Sequence, residues 1–262
     1  HLQADYTDHG ALRQLGAACA GVTTEFENVP AASLIELAKH CRVSPGADAV
    51  AIAQDRSHEK SWLAANGFAT APFALVNSEA DLDAALTEIG TPALLKVSRF
   101  GYDGKGQARV ATRDEARAAY REFGGQPCVL EGFVTLDREI SVVLVRSDAG
   151  ECALFPVAEN RHENGILDVS IVPARVPDSI GQQASDMARA IAGKLGYVGV
   201  MAVEFFVVDG QLLVNEIAPR PHNSGHYTLD ACVTDQFEQQ VRVLAGLPLG
   251  DTCLLSPVVM VN

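Results

Sequence analysis

Ala93-Leu94-Leu95-Lys96-Val97-Ser98-Arg99-Phe100-Gly101-Tyr102-Asp103-Gly104-Lys105-Gly106-Gln107 is the stretch on which the fold turns. It sets a glycine-rich loop between two strand-like runs, 92–98 and 107–111, rather than between a strand and a helix. It is not a Walker A loop, because Lys105 is followed by Gly106 and no Ser or Thr follows to hold magnesium. It is not G-x-G-x-x-G either, so a dinucleotide-binding reading fails. Gly101, Gly104 and Gly106 let successive backbone N–H groups face one way and form an anion nest. Arg99 and Lys105 add charge. The physical picture is a β-hairpin flap that folds over a polyphosphate. A plain surface hairpin would carry the same glycines. Lys96 decides between the two, because a lysine inside an apolar run must find an anion.

Downstream, the apolar runs 198–208 and 212–217 flank Asp209-Gly210, a strong hairpin signal. Glu204 interrupts the first run and Asn215-Glu216 the second. Carboxylates facing inward from buried strands need a cation or a partner. A strict two-residue turn pairs Glu204 with Asn215; a three-residue loop with a glycine bulge pairs it with Glu216. Both registers place Glu204 beside an oxygen ligand, which fits magnesium held by one or two carboxylates plus substrate phosphates. A pair of salt-bridged glutamates at a sheet edge is the plainer alternative. The segment 218–226 follows at once, held rigid by Pro219 and Pro221. Within it Arg220 can fork onto a phosphate or carboxylate, and His222 and His226 can donate hydrogen bonds or act as a general base.

Working outward, helices are expected at 8–20, 31–41, 48–66 with a break near Asp55, 78–89, 112–123, 180–195 and 237–245. A short strand at 21–24 between helices reads as the tail of a parallel α/β unit. Ser78 and Thr112 read as helix caps. The strand-like runs 128–133, 139–146, 152–158 and 167–173 follow one another on short connections, as in an antiparallel sheet. A last strand is expected over 254–261. It stops in mid-run, and the chain starts without Met, so material is expected to be missing on both sides.

The chain has 262 residues, enough for one or two domains at roughly 100–200 residues each. Its 20 basic and 33 acidic residues give a formal charge of −13. That balance argues against a nucleic-acid surface and against a polybasic membrane contact. It leaves room for an anionic small substrate held by a local basic cluster. No apolar stretch approaches the roughly 18 residues of a membrane span. Cys19, Cys41, Cys128, Cys152, Cys232 and Cys253 show no C-x-x-C spacing, so reduced and mostly buried thiols in a cytoplasmic protein are expected.

Together the glycine flap after a buried lysine, the strand Glu131-Gly132-Phe133-Val134, and Glu204 with Asn215-Glu216 resemble the ATP-grasp ligases. The segments TTEFENVP (23–30), RFGYDGKGQ (99–107), ENRHENGIL (159–167) and NEIAPRPHNSGH (215–226) are similar, more narrowly, to the N5-carboxyaminoimidazole ribonucleotide synthetase family. The resemblance spans about 23–249. It implies an α/β (α+β) ATP-grasp fold of two lobes with a remnant of an N-terminal Rossmann-like, pre-ATP-grasp domain. On that pattern residues 1–45 belong to the remnant. Residues 46–250 form the ATP-grasp domain, with a small lobe over 46–127 and a large lobe over 128–250. Residues 251–262 begin a C-terminal domain.

The resemblance also implies roles. Arg56, Lys96 and the flap residues Gly101, Tyr102, Asp103, Gly104, Lys105, Gly106 and Gln107 would contact ATP phosphates. Glu131, Gly132, Phe133 and Val134 would hold adenine, Glu139 the ribose, and His162 would line the nucleotide site. Glu204 and Glu216 would bind Mg2+, with Asn215 close by. Glu25 or Glu27, Tyr102, Lys105, Arg220 and His222 would face 5-aminoimidazole ribonucleotide and bicarbonate, and Tyr102, Lys105, Arg220 and His222 would be catalytic. The implied reaction is ATP-dependent carboxylation through carboxyphosphate in purine biosynthesis, by a cytoplasmic homodimer. The flap and hairpin alone would also suit a formate-dependent glycinamide ribonucleotide transformylase or a biotin carboxylase. An ATP-binding fragment without turnover is the reading from another class.

Overall fold

The computed structural model describes residues 1–26, 28–101, 105–163 and 165–262. Four candidate residues, Glu27, Tyr102, Asp103 and Gly104, lie outside the described residues.

The N-terminal unit runs α1 (His9–Ala18), β1 (Gly21–Val22), α2 (Ala31–Leu37), β2 (Arg42–Val43) and α3 (Ala47–Ala53). β1 and β2 pair in parallel, as the α/β reading requires, although the strand is shorter than the expected 21–24. Leu12, Leu34, Leu37 and Val50 form its small core. The helical run 48–66 does break at Asp55. This residue takes extended backbone and caps α4 (Arg56–Ala65) by accepting the Ser57 N–H.

The small lobe follows as β3 (Phe73–Val76), α5 (Glu79–Glu88), β4 (Ala93–Val97), β5 (Gln107–Val110), α6 (Arg113–Glu122) and β6 (Cys128–Gly132). The sheet is antiparallel in the order β3-β6-β4-β5, so the run at 128–133 belongs to the small lobe and not, as expected, to the large lobe and the antiparallel series from 139 onward; its residues pair with β3 and β4. Ser78 and Thr112 cap α5 and α6 as expected. Leu82, Leu86, Ala116 and Tyr120 from these helices pack on Leu95 and Leu130 of the sheet. The glycine loop therefore joins adjacent antiparallel strands.

The large lobe holds β7 (Arg138–Arg146), β8 (Cys152–Leu154), β9 (Ala158–Glu163), β10 (Ile166–Val172), α7 (Asp178–Lys194), β11 (Gly199–Val208), β12 (Gln211–Ala218), α8 (Thr228–Ala231), α9 (Gln236–Ala245) and β13 (Val258–Val261). The sheet order is β12-β11-β7-β9-β10-β13, with β8 beside β7. Two expectations change here. The single strand over 152–158 is two strands, and β9 runs on through the polar sequence 159–163. Its side chains make ion pairs and line the cleft, so no apolar pattern marked it. The last strand is shortened to 258–261, because Ser256-Pro257 interrupts the run and Leu254 makes an isolated bridge to Cys232.

Both faces of β7 and β11 are covered, which is why they read as nearly continuous apolar runs. Ile140, Val142, Met201, Val203 and Phe205 share a core with the α7 residues Ile180, Ala184, Ala188 and Ile191. Val143, Val145, Val200 and Ala202 share another with Val243 of α9. This second face continues along the strands as Ser141, Glu139, Glu204 and Phe206 (side chains alternate between faces, period two). The cleft opens there. Among the described residues, no helix is long and apolar enough to cross a membrane. All six cysteines are free, but only Cys128 and Cys232 are buried and Cys253 is exposed. The expectation of mostly buried thiols is corrected on that point.

Candidate active site

The carboxylate hairpin resolves the register question in a way that neither expectation contained. Asp209 and Gly210 both have positive φ, 49° and 72°, and make a two-residue turn of the primed type. Val208 faces Gln211 and pairing runs regularly to Phe205 opposite Val214. A bulge then intervenes, and Glu204 faces Glu216. Asn215 is the extra residue. The Glu204–Glu216 pairing foreseen for the looser turn is thus produced inside the strand. The Asn215 amide donates to the Glu204 carboxylate at 3.3 Å.

Lys96 finds its anion as its position demanded, but that anion is a side chain. Its ammonium lies 2.9 Å from the Glu131 carboxylate, whose other oxygen lies 3.5 Å from Lys60. All three side chains are buried. Burial alone would raise the Glu131 carboxyl, yet Lys96 and Lys60 hold it below its ordinary value. Helix α4 presents Arg56, Glu59 and Lys60 on one face, at i, i+3 and i+4. Each meets the hairpin. The Arg56 guanidinium lies 3.2 Å from Glu216, Glu59 accepts the Ile217 N–H, and Lys60 donates to the Asn215 carbonyl at 2.9 Å. One helix face thus ties the small-lobe lysines to the large-lobe carboxylates.

Electrostatics separate the two glutamates. Burial and the neighbouring Glu216 push the Glu204 carboxyl up to about 7. Burial would raise Glu216 too, but Arg56, His222 and Lys96 hold it down at about 2. Glu59 is pushed up to about 8, mainly by burial and then by Glu216. Burial and Arg220 lower the His222 imidazole to about 4. Glu204, Glu216 and His222 offer ligand atoms within 4.8 Å of one another. Two converging carboxylates are hard oxygen donors of the kind magnesium takes, so the residues fit that ion.

Around this pair lies a cleft of ≈ 360 Å³. It gathers Arg56, Lys96, Gly101, Lys105, Gln107, Glu139, His162, Glu204, Asn215, Glu216, Arg220 and His222 from widely separated stretches of sequence. Gly106 holds the flap stem against β4 at φ +71°, where a Cβ would stand 2.5 Å from Val97 Cγ2. His162 Nδ1 lies 2.6 Å from Glu139, and that contact raises the imidazole despite its burial. A smaller cleft adjoins at Arg56, Gly101 and Glu216 and reaches Asn28 of the TTEFENVP segment.

Other candidates are placed differently. Glu131, Gly132, Phe133 and Val134 do not line the cleft. The Glu131 carboxylate is committed to lysines, and Phe133 sits on the surface beneath the Arg109 guanidinium. Glu25 is exposed and does not line the cleft either. His226 is exposed and packs against Phe237 instead of facing the cleft. Several cleft residues were not foreseen. Leu94, Leu136, Leu167 and Phe206 give it an apolar wall, and Asn223 lines it with a buried Oδ1 that has no hydrogen-bond partner among the described residues. Glu59 and Lys60 could have been found from their spacing with Arg56 and buried Leu63 on one helix face. Gln236, fully buried, clamps the His222 backbone by accepting its N–H at 2.9 Å and donating to its carbonyl at 2.8 Å.

A glycine hairpin from an antiparallel lobe, facing a carboxylate hairpin from a second lobe, defines an ATP-grasp protein. The sequence pattern of the ATP-grasp domain matches residues 61–237, and that of the ribonucleotide synthetase preATP-grasp domain residues 1–54. The N5-carboxyaminoimidazole ribonucleotide synthase of Bacillus subtilis (strain 168) is 47% identical over 264 residues, covering 100% of this chain and 69% of that protein. The N5-carboxyaminoimidazole ribonucleotide synthetase of Thermus thermophilus superposes with a TM-score of 0.93 at 43% identity, over 99% of this chain and 71% of that one. The Aspergillus clavatus N5-carboxyaminoimidazole synthase, solved with ADP and 5-aminoimidazole ribonucleotide, gives 0.92 at 29% identity, over 100% and 70%. The chain belongs to the N5-carboxyaminoimidazole ribonucleotide synthase family, whose members are ATP-grasp ligases.

Proposed function

We propose that the chain carboxylates 5-aminoimidazole ribonucleotide to N5-carboxyaminoimidazole ribonucleotide, consuming ATP and bicarbonate and releasing ADP and phosphate. The observation that carries the reading is the meeting in one cleft of Lys96 and Arg56, the Glu204–Glu216 pair, and Arg220 with His222. Family membership, and a relative solved with ADP and 5-aminoimidazole ribonucleotide, support the choice of substrate.

A bicarbonate oxygen attacks the γ-phosphorus, the bond to ADP breaks, and carboxyphosphate forms. Carboxyphosphate then passes its carboxyl group to the substrate amine, directly or after first releasing carbon dioxide; phosphate leaves, and the amine proton is lost to the leaving phosphate or to water. Phosphoryl transfer needs positioning and charge neutralisation more than covalent help. Lys96, Arg56 and Lys105 with the flap backbone would neutralise phosphate charge, and Glu139 with His162 would hold the ribose side of the nucleotide. Mg2+, held by Glu204 and Glu216 beside Asn215, would supply Lewis-acid charge on the phosphates. Arg220 would fork onto bicarbonate, with His222 beside it. Glu25 or Glu27 would face the 5-aminoimidazole ribonucleotide. On the same reading residues 1–45 are the end of a pre-ATP-grasp domain and 46–250 the catalytic domain, in a cytoplasmic homodimer; the expected boundary at 251 is not kept, because β13 pairs with β10 in the large-lobe sheet.

The test is ADP release with each substrate set. Release that requires both 5-aminoimidazole ribonucleotide and bicarbonate is expected. Release driven by glycinamide ribonucleotide and formate instead would overturn the assignment.

A further inference from the structure

His222 stands at the end of a buried hydrogen-bond chain that crosses the large-lobe sheet. Its Nδ1 accepts the Ser224 backbone N–H at 3.3 Å and lies 2.8 Å from Ser224 Oγ. Ser224 Oγ lies 2.8 Å from Ser141 Oγ on β7. Asn160 of β9 donates through Nδ2 to Ser141 Oγ at 2.9 Å, and Ser170 of β10 donates to Asn160 Oδ1 at 2.7 Å. Ser141, Asn160, Ser170 and Ser224 are all buried. The strand pairings Glu204–Ser141 and Ser170–Asn160 put these groups on one face, beside the carboxylate hairpin.

The direction of this chain is set from one end. A backbone N–H can only donate, so Nδ1 must present a lone pair to it. The Ser224 hydroxyl then gives its single proton to Nδ1 and accepts from Ser141. Ser141 gives its proton to Ser224 and accepts from the Asn160 amide. The Asn160 carbonyl accepts from Ser170, and every member is satisfied. Reversal, with Nδ1–H donating to Ser224 Oγ, would set two N–H groups against each other. In a neutral imidazole the remaining proton therefore sits on Nε2, which faces the cleft 3.4 Å from Glu204 Oε1.

We propose that this chain fixes His222 as its Nε2–H tautomer, a hydrogen-bond donor into the cleft rather than a metal ligand or proton acceptor. Ser224, Ser141 and Asn160 are positioning residues for it. The metal is left to the glutamate oxygens, and the Nε2–H is offered to an oxyanion of bicarbonate or carboxyphosphate. This second statement rests on the carboxylase reading above; the tautomer does not.

Two experiments separate them. Two-bond proton–nitrogen correlation on the 15N-histidine-labelled chain, without ligands, reads the tautomer directly. A protonated Nε2 with an unprotonated Nδ1 is expected, and it should persist in Ser224→Ala, which keeps the backbone N–H, with the Nδ1 resonance moved by loss of the hydroxyl's hydrogen bond. A protonated Nδ1 in the parent chain would overturn the proposal, and an unmoved Nδ1 resonance in Ser224→Ala would overturn the role given to Ser224. Activity then reads the donor. The amide nitrogen of His222→Gln reaches the Nε2 position and that of His222→Asn does not. ADP release is expected to fall about 10²–10³-fold further in His222→Asn than in His222→Gln, the cost of one lost donor. Equal losses would overturn the donor role. If the parent chain shows no release dependent on the ribonucleotide, the carboxylase reading fails while the spectrum still decides the tautomer.

Discussion

Glu131 carries a shared electrostatic responsibility. It is the shared counter-charge of Lys60 and Lys96, both buried. Glu131→Gln removes it and leaves two buried ammonium groups facing a neutral amide. A loss of about 3–5 kcal/mol is expected, measured as a fall in the urea midpoint, because an uncompensated buried charge costs more than the pair was worth. Glu159 offers a pH test. Its hydrogen bonds from Arg175, against the opposing effect of burial, hold the carboxyl below its ordinary value. A depressed folded pKa gives stability that is full above the unfolded value and disappears as pH falls through the folded one. Unfolding midpoints taken from about pH 6 to about pH 3 should therefore fall less steeply in Glu159→Gln than in the parent. Lys96 was legible because an apolar strand leaves a lysine no solvent. Lys60 and Glu59 were harder to read, because charged residues in a helix ordinarily face water and the only hint is their place on one helix face with Arg56 and buried Leu63.

Among the elements, the hairpin and the flap decide the geometry. The bulge at Asn215 swings Glu216 opposite Glu204 without lengthening the turn, and α4 holds it there through Arg56, Glu59 and Lys60. The sequence contained both glutamates and the Asp209-Gly210 turn, but a bulge adds one residue anywhere along a strand and leaves no pattern of its own. β9 escaped notice for a related reason: its side chains serve ion pairs and the cleft, so the alternation that marks a half-buried strand is missing. The flap stem makes a sharper prediction. In Gly106→Ala a Cβ would stand 2.5 Å from Val97 Cγ2 at φ +71°. Thermal unfolding should show a loss of more than about 1 kcal/mol, and the Kd for ATP should rise because the flap no longer closes on β4.

At the scale of the molecule, a chain of charge −13 has to bind ATP, bicarbonate and a ribonucleotide, all anions. Screening resolves the conflict, since charges beyond about 8 Å contribute little at physiological ionic strength. On the proposed reading the ligands meet the cleft, where Arg56, Lys96, Lys105 and Arg220 converge from both lobes. The two-lobe architecture was legible because flap and hairpin each carry their own signature. That both open on one cleft follows only from the sheets' arrangement. Lys96→Met should accordingly weaken ATP binding by at least about tenfold, read by calorimetry, because a buried charge-assisted contact is removed.

The central claim is that the cleft transfers the γ-phosphoryl group to bicarbonate. Bicarbonate labelled with oxygen-18, in a single turnover with ATP and 5-aminoimidazole ribonucleotide, tests it most directly. Carboxyphosphate requires the released phosphate to carry one bicarbonate oxygen, visible as an isotope-shifted phosphorus resonance. Phosphate whose one added oxygen comes from solvent would mean that water, not bicarbonate, attacks ATP, and would contradict the account.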